Sequence, residues 1–363
     1  MSNADFQQLG HIGEHAAPRQ EALDVFCHYL PPPYLEAVVR SCQGRLPLML
    51  QRATAIPTMS RMEDRCALVD AFPGYRQVLS LSSPTVEALA EPTGAAELAR
   101  VANDELAAVV AADPRRFPAF VATLPLNNPD ASHAEIERCL RLPGAVGVQV
   151  FTSVGGLPLD HPSLLPIIEH AAKLGLAVWL HPCRSAERPD YPGEDVSAHD
   201  LWWAFGWPHE SSVAMGRLVF SGLFDRHPDL VVVTHHAGGT AALMAGRLGL
   251  GMAGGPRTQA GARTNSMVGT PLQSFRRFYA DTATFGSAEA VSCARSFFGA
   301  DHVLFATDCP FGPEGGRAII RATFEALDQL GLSATERAAI MSGNARRALG
   351  LPPEPTVQVP GGA

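Results

Sequence analysis

Short apolar runs of strand length alternate along the chain with longer amphipathic stretches of helical length. The apolar runs are continuous rather than alternating, which is typical of strands buried on both faces of a parallel sheet. Eight such runs predict eight strands, which cover residues 22–28, 75–82, 118–126, 145–151, 177–182, 230–236, 277–283 and 303–308. Eight parallel strands joined by helices are the number that closes a (β/α)8 barrel.

Amphipathic stretches between these runs predict the helices of the barrel. They cover residues 95–112, 131–142, 162–175, 287–299 and 315–331, and residues 333–350 predict a closing pair of helices. Asp130 or Ser132 is expected to cap the second helix, and Gly175 is expected to end the third. The pattern predicts a distorted TIM (β/α)8 barrel with a C-terminal helical extension over residues 21–352.

Two connections are longer than a barrel requires. They are residues 29–74 after the first predicted strand and residues 183–212 after the fifth, and the second contains Trp202, Trp203 and Trp207. Long loops at the C-terminal face of a barrel usually bind or cover a substrate. Tryptophan is also enriched at protein interfaces, so a lid and a dimer contact are both open.

Composition excludes several classes of protein. The chain of 363 residues is 46% hydrophobic and 18% charged, so it can build one large core. A formal net charge of −8 without a basic stripe argues against a nucleic-acid partner. Seven cysteines without a C-x-x-C pair, no secretory signal and no membrane-length apolar run favour a cytoplasmic protein. The polar residues 1–20 and the Pro/Gly-rich residues 353–363 are expected to be flexible.

Residues that can bind a metal or carry a proton stand where four of the apolar runs end. These runs end at His28, at His181, at the pair His235–His236, and at Asp308. Catalytic residues of (β/α)8 barrels lie at this end of the strands. Imidazole nitrogens and a carboxylate are ligands that a catalytic Zn²⁺-like ion uses. Taken singly, His28 also fits a hydrogen bond to the backbone and Asp308 a turn, but their shared position favours a site.

The sequence leaves several choices open at this end of the barrel. His235 and His236 are adjacent, so they point to opposite sides of a strand and only one can face the mouth. Asp281 either faces the site or orients a neighbouring histidine. Five arginines in the two long connections are candidates to bind a substrate carboxylate: Arg52, Arg61, Arg65, Arg184 and Arg188.

The motifs around these residues carry a family resemblance. DVFCHYLPPPYLE, GLAVWLHP, LVVVTHHAGG, FYADTA and ADHVLFATDCPFGPEGG follow one another in this order. With them, residues 22–351 resemble the metal-dependent amidohydrolase superfamily, in the branch typified by aminocarboxymuconate-semialdehyde decarboxylase.

The resemblance implies one divalent metal, held by a His-x-His on the first strand, a histidine on the fifth and an aspartate on the eighth. Carried over, the metal ligands are His28, His181 and Asp308, and the catalytic residues are His236 and Asp308. The first position of the His-x-His is Phe26, which has no donor atom. Three protein ligands with a water are the usual set of a catalytic zinc, so zinc is expected, with manganese or iron as alternatives.

The reaction implied by the resemblance is the non-oxidative decarboxylation of a small carboxylated acid, aromatic or conjugated. Metal-dependent hydrolysis or hydration of a lactone, amide or unsaturated acid is an alternative, because one barrel face supports both. A barrel that binds a ligand without catalysis is a third possibility, since Phe26 removes a ligand. The expected partners are a small carboxylated substrate and a second copy of the chain in a homodimer.

Overall fold

The computed structural model describes residues 20–252 and 267–353. The expected flexible segments, residues 1–20 and 353–363, fall outside the described residues except at their inner ends. No helix in the described ranges is long and apolar enough to cross a membrane.

The predicted strands form in the predicted order. The described residues contain ten strands: β1 (Ala22–His28), β2 (Tyr75–Ser80), β3 (Ala119–Thr123), β4 (Ala145–Phe151), β5 (Ser153–Val154), β6 (Leu157–Pro158), β7 (Ala177–His181), β8 (Val232–Thr234), β9 (Tyr279–Asp281) and β10 (Val303–Leu304). β5 and β6 form a small antiparallel hairpin. The other eight form one parallel sheet in the order β1-β2-β3-β4-β7-β8-β9-β10.

The sheet closes on itself between its last and first strands. Val25 N donates to Phe305 O (3.0 Å) and His28 N donates to Cys309 O (2.7 Å), and Cys27 pairs with Cys309 in a parallel bridge. The predicted TIM barrel is therefore confirmed.

The later strands are shorter than their apolar runs: β8 ends at Thr234, two residues before His236, and β10 ends at Leu304, four residues before Asp308. His236 has a φ of +54° and Asp308 a φ of +66°, both in the left-handed region that ends a strand.

The barrel interior is a packed core rather than a channel, as expected for eight strands. Its apolar lining comes from successive strands and includes Leu23, Val25, Val78, Val121, Trp179, Val233 and Leu304. Trp179 fills the centre and donates its indole N–H to Val25 O (2.9 Å). A Cβ at Gly147 would lie 2.6 Å from the Trp179 ring and 2.4 Å from Ala177 O, so this position of β4 requires glycine.

Helices cover the outside of the sheet and fill the two long connections. They are α1 (Pro32–Ser41), α2 (Leu48–Thr54), α3 (Pro57–Ser60), α4 (Met62–Asp70), α5 (Val86–Leu89), α6 (Pro92–Ala112), α7 (Pro129–Cys139), α8 (Leu165–Lys173), α9 (Leu201–Ala204), α10 (Gly206–Phe220), α11 (Leu223–Arg226), α12 (Pro271–Phe275), α13 (Ala288–Phe298), α14 (Arg317–Gln329), α15 (Ala334–Ala338) and α16 (Asn344–Ala348).

The expected cap of α7 is wrong. The side chain of Asn128 accepts the N–H of Ala131 (3.2 Å), so Asn128 is the N-cap. Asp130 and Ser132 lie inside the helix because Pro129, which has no N–H to lose, takes its first position. Gly175 follows α8 with a φ of +72°, as expected for a glycine that ends a helix.

The predicted closing pair of helices is wrong as well. α15 and α16 are joined by a π-helical segment, Ala339–Gly343, into one continuous helix. Gly343 keeps helical dihedrals (φ −58°, ψ −43°), so nothing interrupts the chain there. This C-terminal extension packs on the last strand, where Phe305 N donates to Ile340 O (2.9 Å) and Asn344 Nδ2 donates to Val303 O (2.8 Å).

Candidate active site

Three histidines at strand ends bring their rings together in the barrel mouth. His28, His181 and His235 each offer a nitrogen, and these nitrogens lie within 4.8 Å of one another. The Nδ1 of His28 lies 3.0 Å from Leu81 O and that of His181 lies 2.7 Å from Pro182 O. Because carbonyl oxygens only accept, both Nδ1 atoms carry hydrogen and both Nε2 atoms present a lone pair.

The third ring is held by a carboxylate instead of a carbonyl. His235 Nδ1 lies 2.5 Å from Asp281 Oδ2. The other oxygen of Asp281 accepts the backbone N–H of Ala237 (2.9 Å) and of Ala283 (3.2 Å). Of the two alternatives for Asp281, the structure therefore shows the one in which the aspartate orients a neighbouring histidine.

Asp308 completes the cluster from the end of the last strand. Its Oδ1 lies 3.2 Å from His28 Nε2 and 3.3 Å from His235 Nε2, and its Oδ2 lies 3.8 Å from His236 Nε2. Burial raises the pKa of this carboxyl, but the contacts with His235, His236 and His28 outweigh burial and hold the pKa well below its usual value. Asp308 is thus an anion in the middle of the imidazole rings.

The adjacent histidines have different positions. His235 continues the extended backbone (φ −84°, ψ 157°) on the same face as Val233, so it points into the barrel and is fully buried. His236 starts the turn that leaves the strand. Its side chain is 13% exposed, and its ring lies parallel to Phe285 with centroids 6.3 Å apart. Within the described part of the chain its Nδ1 has no hydrogen-bond partner. His235 belongs to the buried cluster, and His236 lies at its rim.

The pKa values of His181 and His235 are shifted in opposite directions. Burial lowers the pKa of His181 well below its usual value, and the His28 and His235 rings lower it further. Burial also lowers the pKa of His235, but Asp281 and Asp308 outweigh it and raise that pKa to about 9. His181 is therefore a neutral donor, whereas His235 can hold a proton beside Asp308.

Phe26 occupies the interior position that precedes His28 on the same strand. Its ring stacks on His235 with centroids 3.8 Å apart and lies 5.9 Å from the rings of both His28 and His181. A register shift of β1 against β2 between Asp24 and Cys27 accompanies this arrangement. The phenyl ring thus contacts all three buried histidines from the position that the resemblance assigns to a fourth donor.

The remaining donors fit a divalent metal. The Nε2 atoms of His28 and His235 are buried, and among the residues that the structure describes neither has a hydrogen-bond partner, although each lies within ion-pair distance of Asp308 Oδ1. The unpaired nitrogen of His28, the neutral ring of His181 and the ionised carboxylate of Asp308 are donors of the kinds that Zn²⁺, Mn²⁺ or Fe²⁺ uses, while His235 can hold a proton beside them.

Aromatic residues of the second long connection lie beside the histidines. The Trp207 ring lies 5.6 Å from the His181 ring and 5.5 Å from the Trp202 ring, and its indole N–H donates to Arg184 O (3.0 Å). Next to them is a cavity of about 150 Å³. It is lined mainly by apolar groups of three connections: Pro47, Leu48, Met49, Ser83, Pro84, Thr85, Ala88, Cys183, Arg184, Ser185, Ala186, Glu187, Trp202 and Trp207.

The five candidate arginines are already engaged by the protein. Arg65 is fully buried, donates to His28 O and Thr58 O, and holds the first strand end in place. The other four form ion pairs: Arg52 with Asp200, Arg61 with Asp64, Arg184 with Asp190, and Arg188 with Glu210. Arg184 alone among them lines the cavity. No pattern in the sequence distinguished Arg65 as a buried residue.

Comparisons with known proteins agree with this geometry. The sequence matches the amidohydrolase family over residues 61–351. It is 32% identical over 277 residues to 2-amino-3-carboxymuconate-6-semialdehyde decarboxylase of Dictyostelium discoideum, covering 76% of this chain and 73% of that protein. It is 34% identical over 265 residues to gamma-resorcylate decarboxylase of a Rhizobium species, covering 69% of this chain and 76% of that protein.

A solved structure extends the likeness to the whole barrel. A dihydroxybenzoic acid decarboxylase from a Polaromonas species, with bound manganese and the inhibitor 2-nitroresorcinol, superposes with a TM-score of 0.73. It is 26% identical in sequence, and the match covers 92% of this chain and 97% of that one. The predictions of an amidohydrolase fold and of a carboxy-lyase are confirmed by these relatives. The chain belongs to the amidohydrolase family, in the branch that contains these decarboxylases.

Proposed function

We propose that this protein is a metal-dependent, non-oxidative decarboxylase of a small aromatic carboxylic acid. The observation that carries the proposal is the cluster beside an apolar cavity in which nitrogens of His28, His181 and His235 lie within 4.8 Å of one another and Asp308 Oδ1 lies 3.2 Å from His28 Nε2. Relatives that act on gamma-resorcylate and on dihydroxybenzoic acid support an aromatic substrate.

His28, His181 and Asp308 are the proposed metal ligands. Bound there, a divalent metal would orient the substrate carboxylate and stabilise negative charge that develops as CO2 leaves. The manganese of the Polaromonas relative supports Mn²⁺ at least as well as the expected Zn²⁺, and the mixed nitrogen and oxygen donors suit both ions.

The carbon that loses CO2 must gain a proton, and the buried side chains can deliver it. His235 is fixed by Asp281 and lies 3.3 Å from Asp308, so these two residues form a proton-carrying pair inside the barrel. The resemblance assigned this role to His236. The rim position of His236 supports a contact with the bound substrate instead, and variants of the two histidines separate these roles.

The walls of the mouth favour decarboxylation over attack by water. Phe151, Trp207 and Phe311 pack against the ligand histidines with ring centroids 5.2 to 5.7 Å apart. Apolar walls exclude water from the reacting carbon and strengthen the interactions of the buried carboxylate. Hydrolysis or hydration needs an ordered water in the same space, so it is the second candidate.

The test begins with full-length protein that is freed of metal and then loaded with Mn²⁺ or Zn²⁺. We expect about one equivalent of bound metal and CO2 release from one or more hydroxybenzoates, whereas His181→Ala loses the metal and the activity. If the protein instead hydrolyses lactones or amides and releases no CO2, decarboxylation is wrong and hydrolysis is the activity.

A matched pair of variants then identifies the proton carrier. His235→Asn should lower kcat by about 100-fold or more with the metal retained, which is the usual contribution of a general acid or base. His236→Asn should raise KM with a much smaller effect on kcat. The reverse result would return the catalytic role to His236.

The oligomeric state and location are part of the same proposal. Trp203 and Phe205, in the second long connection, are 36% and 75% exposed, and exposed aromatic side chains support a homodimer contact. All seven cysteines are free, which supports a reducing, cytoplasmic environment. Light scattering of the purified protein measures the oligomeric state directly.

A further inference from the structure

A buried amide oxygen in the barrel mouth has no hydrogen-bond partner among the residues that the structure describes. Gln149 lies on β4 and is 1% exposed. Its Nε2 donates to Leu81 O (3.0 Å), which fixes the orientation of the amide. The other end of the amide, Oε1, is buried and accepts no hydrogen bond from the described ranges 20–252 and 267–353. A buried acceptor without a donor is unfavourable, so it marks a position that another molecule can satisfy.

The amide lies on the inner face of its strand. Side chains two residues apart share a face. Gly147 faces the Trp179 ring in the barrel interior, and the Phe151 ring lies 5.2 Å from the His181 ring. Gln149 stands between these two positions and therefore points into the barrel mouth.

The position of the amide relative to the proposed metal ligands is also defined. Leu81 O accepts from Gln149 Nε2 and from His28 Nδ1, at 3.0 Å in both cases. The amide and the His28 ring thus share one oxygen and are neighbours across the mouth. The two nearby hydroxyls do not compete for Oε1, because Ser80 Oγ donates to Cys27 O and Ser82 Oγ donates to Ser83 O.

We propose that Gln149 Oε1 accepts a hydrogen bond from a hydroxyl or amino group that the substrate carries next to its carboxylate. The inference rests on the proposed function, in which a metal held by His28, His181 and Asp308 would orient the substrate carboxylate. A neutral acceptor at this point favours a ring with a donor beside the carboxylate over a ring with an apolar group of the same size. Gln149 is then a specificity-determining residue, because a site that hydrogen-bonds a substrate group discriminates against the analogue without it.

The experiment compares two probes of similar shape on the full-length, manganese-loaded protein. Calorimetry measures the dissociation constants of 2-hydroxybenzoate and 2-methylbenzoate, which differ in a hydrogen-bond donor. The wild-type protein should bind 2-hydroxybenzoate at least tenfold more tightly. In Gln149→Met this preference should fall to about twofold or less, while the affinity for 2-methylbenzoate changes little.

Two further variants make the result decisive. Phe151→Leu alters the shape of the same inner face without a polar group, and it should keep the preference for the hydroxyl. Gln149→Leu replaces Gln149→Met if the melting temperature shows that the first variant does not fold. If the Gln149 variants still bind 2-hydroxybenzoate more tightly than 2-methylbenzoate, the preference comes from the metal and the proposal is wrong. A wild-type protein that binds both compounds equally well would also contradict the proposal.

The same samples show separately whether the Gln149 subsite and the decarboxylase activity are correct. CO2 release is measured on the same samples. A Gln149-dependent preference without CO2 release overturns the decarboxylase and keeps the subsite. CO2 release with a preference that Gln149→Met does not change overturns the subsite and keeps the decarboxylase.

Discussion

At the scale of single residues, Phe26 determines how many ligands the site offers. The resemblance places a metal-binding histidine at this position, and the structure places the phenyl ring on His235, 3.8 Å between centroids. The ring is apolar and joins the apolar interior of the barrel, so the substitution preserves packing while it removes a donor. Phe26 in place of histidine should therefore weaken metal binding without destabilising the fold.

Replacing Phe26 with histidine should restore the fourth donor. We expect the dissociation constant for Mn²⁺ or Zn²⁺ to fall at least tenfold, which corresponds to about 1.4 kcal/mol. Calorimetric titration of metal-free protein measures it. Phe26→Leu is the matched control, because it changes the ring without adding a donor and should bind metal no more tightly than the wild type. Equal affinities for Phe26→His and the wild type would show that this position does not face the metal.

A second residue, Glu87 on α5, makes stability depend on pH. Burial raises the pKa of Glu87 from its ordinary 4.5 to about 7, against the smaller effect of hydrogen bonds from its own backbone N–H and from Thr85. The folded protein therefore holds a proton that the unfolded chain releases above about pH 4.5. This contribution is fully present at low pH and is lost as the pH rises through about 7.

The variant Glu87→Gln should remove this dependence. Urea unfolding at several pH values gives the free energy of unfolding of each protein. Relative to Glu87→Gln, the wild type should lose stability steadily between about pH 5 and about pH 7. Glu97→Gln, at an exposed position of α6, controls for the loss of a surface charge. Parallel pH curves for the wild type and Glu87→Gln would mean that the carboxyl ionises normally in the folded state.

At the scale of elements, the sequence predicted the strands and helices themselves better than the residues at which they begin and end. Strands buried on both faces leave continuous apolar runs, so all eight barrel strands were predicted in order. Their ends were less certain, since His236 and Asp308 take left-handed conformations that no run of apolar residues indicates. The cap of α7 was missed because the helix starts at Pro129, two residues before the predicted start at residue 131. The closing helix was predicted as a pair, whereas Gly343 keeps helical dihedrals inside one continuous helix.

The connection over residues 183–212 is the element most directly tied to substrate binding. Trp207 is 8% exposed and packs between the His181 ring and the Trp202 ring. Trp203, four residues earlier, is 36% exposed and lies near Phe285 at the rim. Trp207 therefore lies against the site and Trp203 lies at its rim, so a Trp203 variant is a control for a Trp207 variant.

Trp207→Ala should open this wall of the site. We expect KM for the substrate to rise at least tenfold, and stability to fall by about 3–5 kcal/mol, the usual cost of removing a buried tryptophan. Steady-state kinetics and urea unfolding measure the two effects. Trp203→Ala should change both far less. A Trp207→Ala protein with unchanged KM would contradict the role of this connection as a cover for the site.

At the scale of the whole molecule, barrel closure is what turns separate strand ends into one site. The fold predicted that His28, His181 and Asp308 would lie at one mouth, because parallel strands present the same ends there, and the structure places Asp308 3.2 Å from His28 and nitrogens of His28 and His181 within 4.8 Å of each other. It could not predict which of two adjacent histidines points inward, since that depends on the register of β8. Nor could it predict Gln149 or Arg65, because their roles come from single oxygens, Leu81 O and His28 O, that only the closed barrel brings within reach.

Closure also joins the two ends of the described chain. Glu21, just before β1, is 2% exposed and forms an ion pair with Arg346 of α16, 325 residues away, with Nε and Oε2 2.6 Å apart. Arg76 at the start of β2 approaches the same carboxylate (3.2 Å). Removing one partner of a buried ion pair leaves a charge without compensation, which is more costly than losing the pair as a whole.

Arg346→Met should therefore destabilise the barrel by about 3 kcal/mol, toward the lower end of such losses because Arg76 still faces Glu21. The double variant Arg346→Met with Glu21→Gln should recover part of that loss, since the buried charge is then removed as well. Denaturant unfolding of both proteins measures the difference. Arg337→Met is the control on the same C-terminal helix, where Arg337 pairs with the exposed Asp328 at 2.8 Å and should contribute about 1 kcal/mol or less. If Arg346→Met were no more destabilising than Arg337→Met, the two ends of the barrel would be held together by packing of the C-terminal helix rather than by this ion pair.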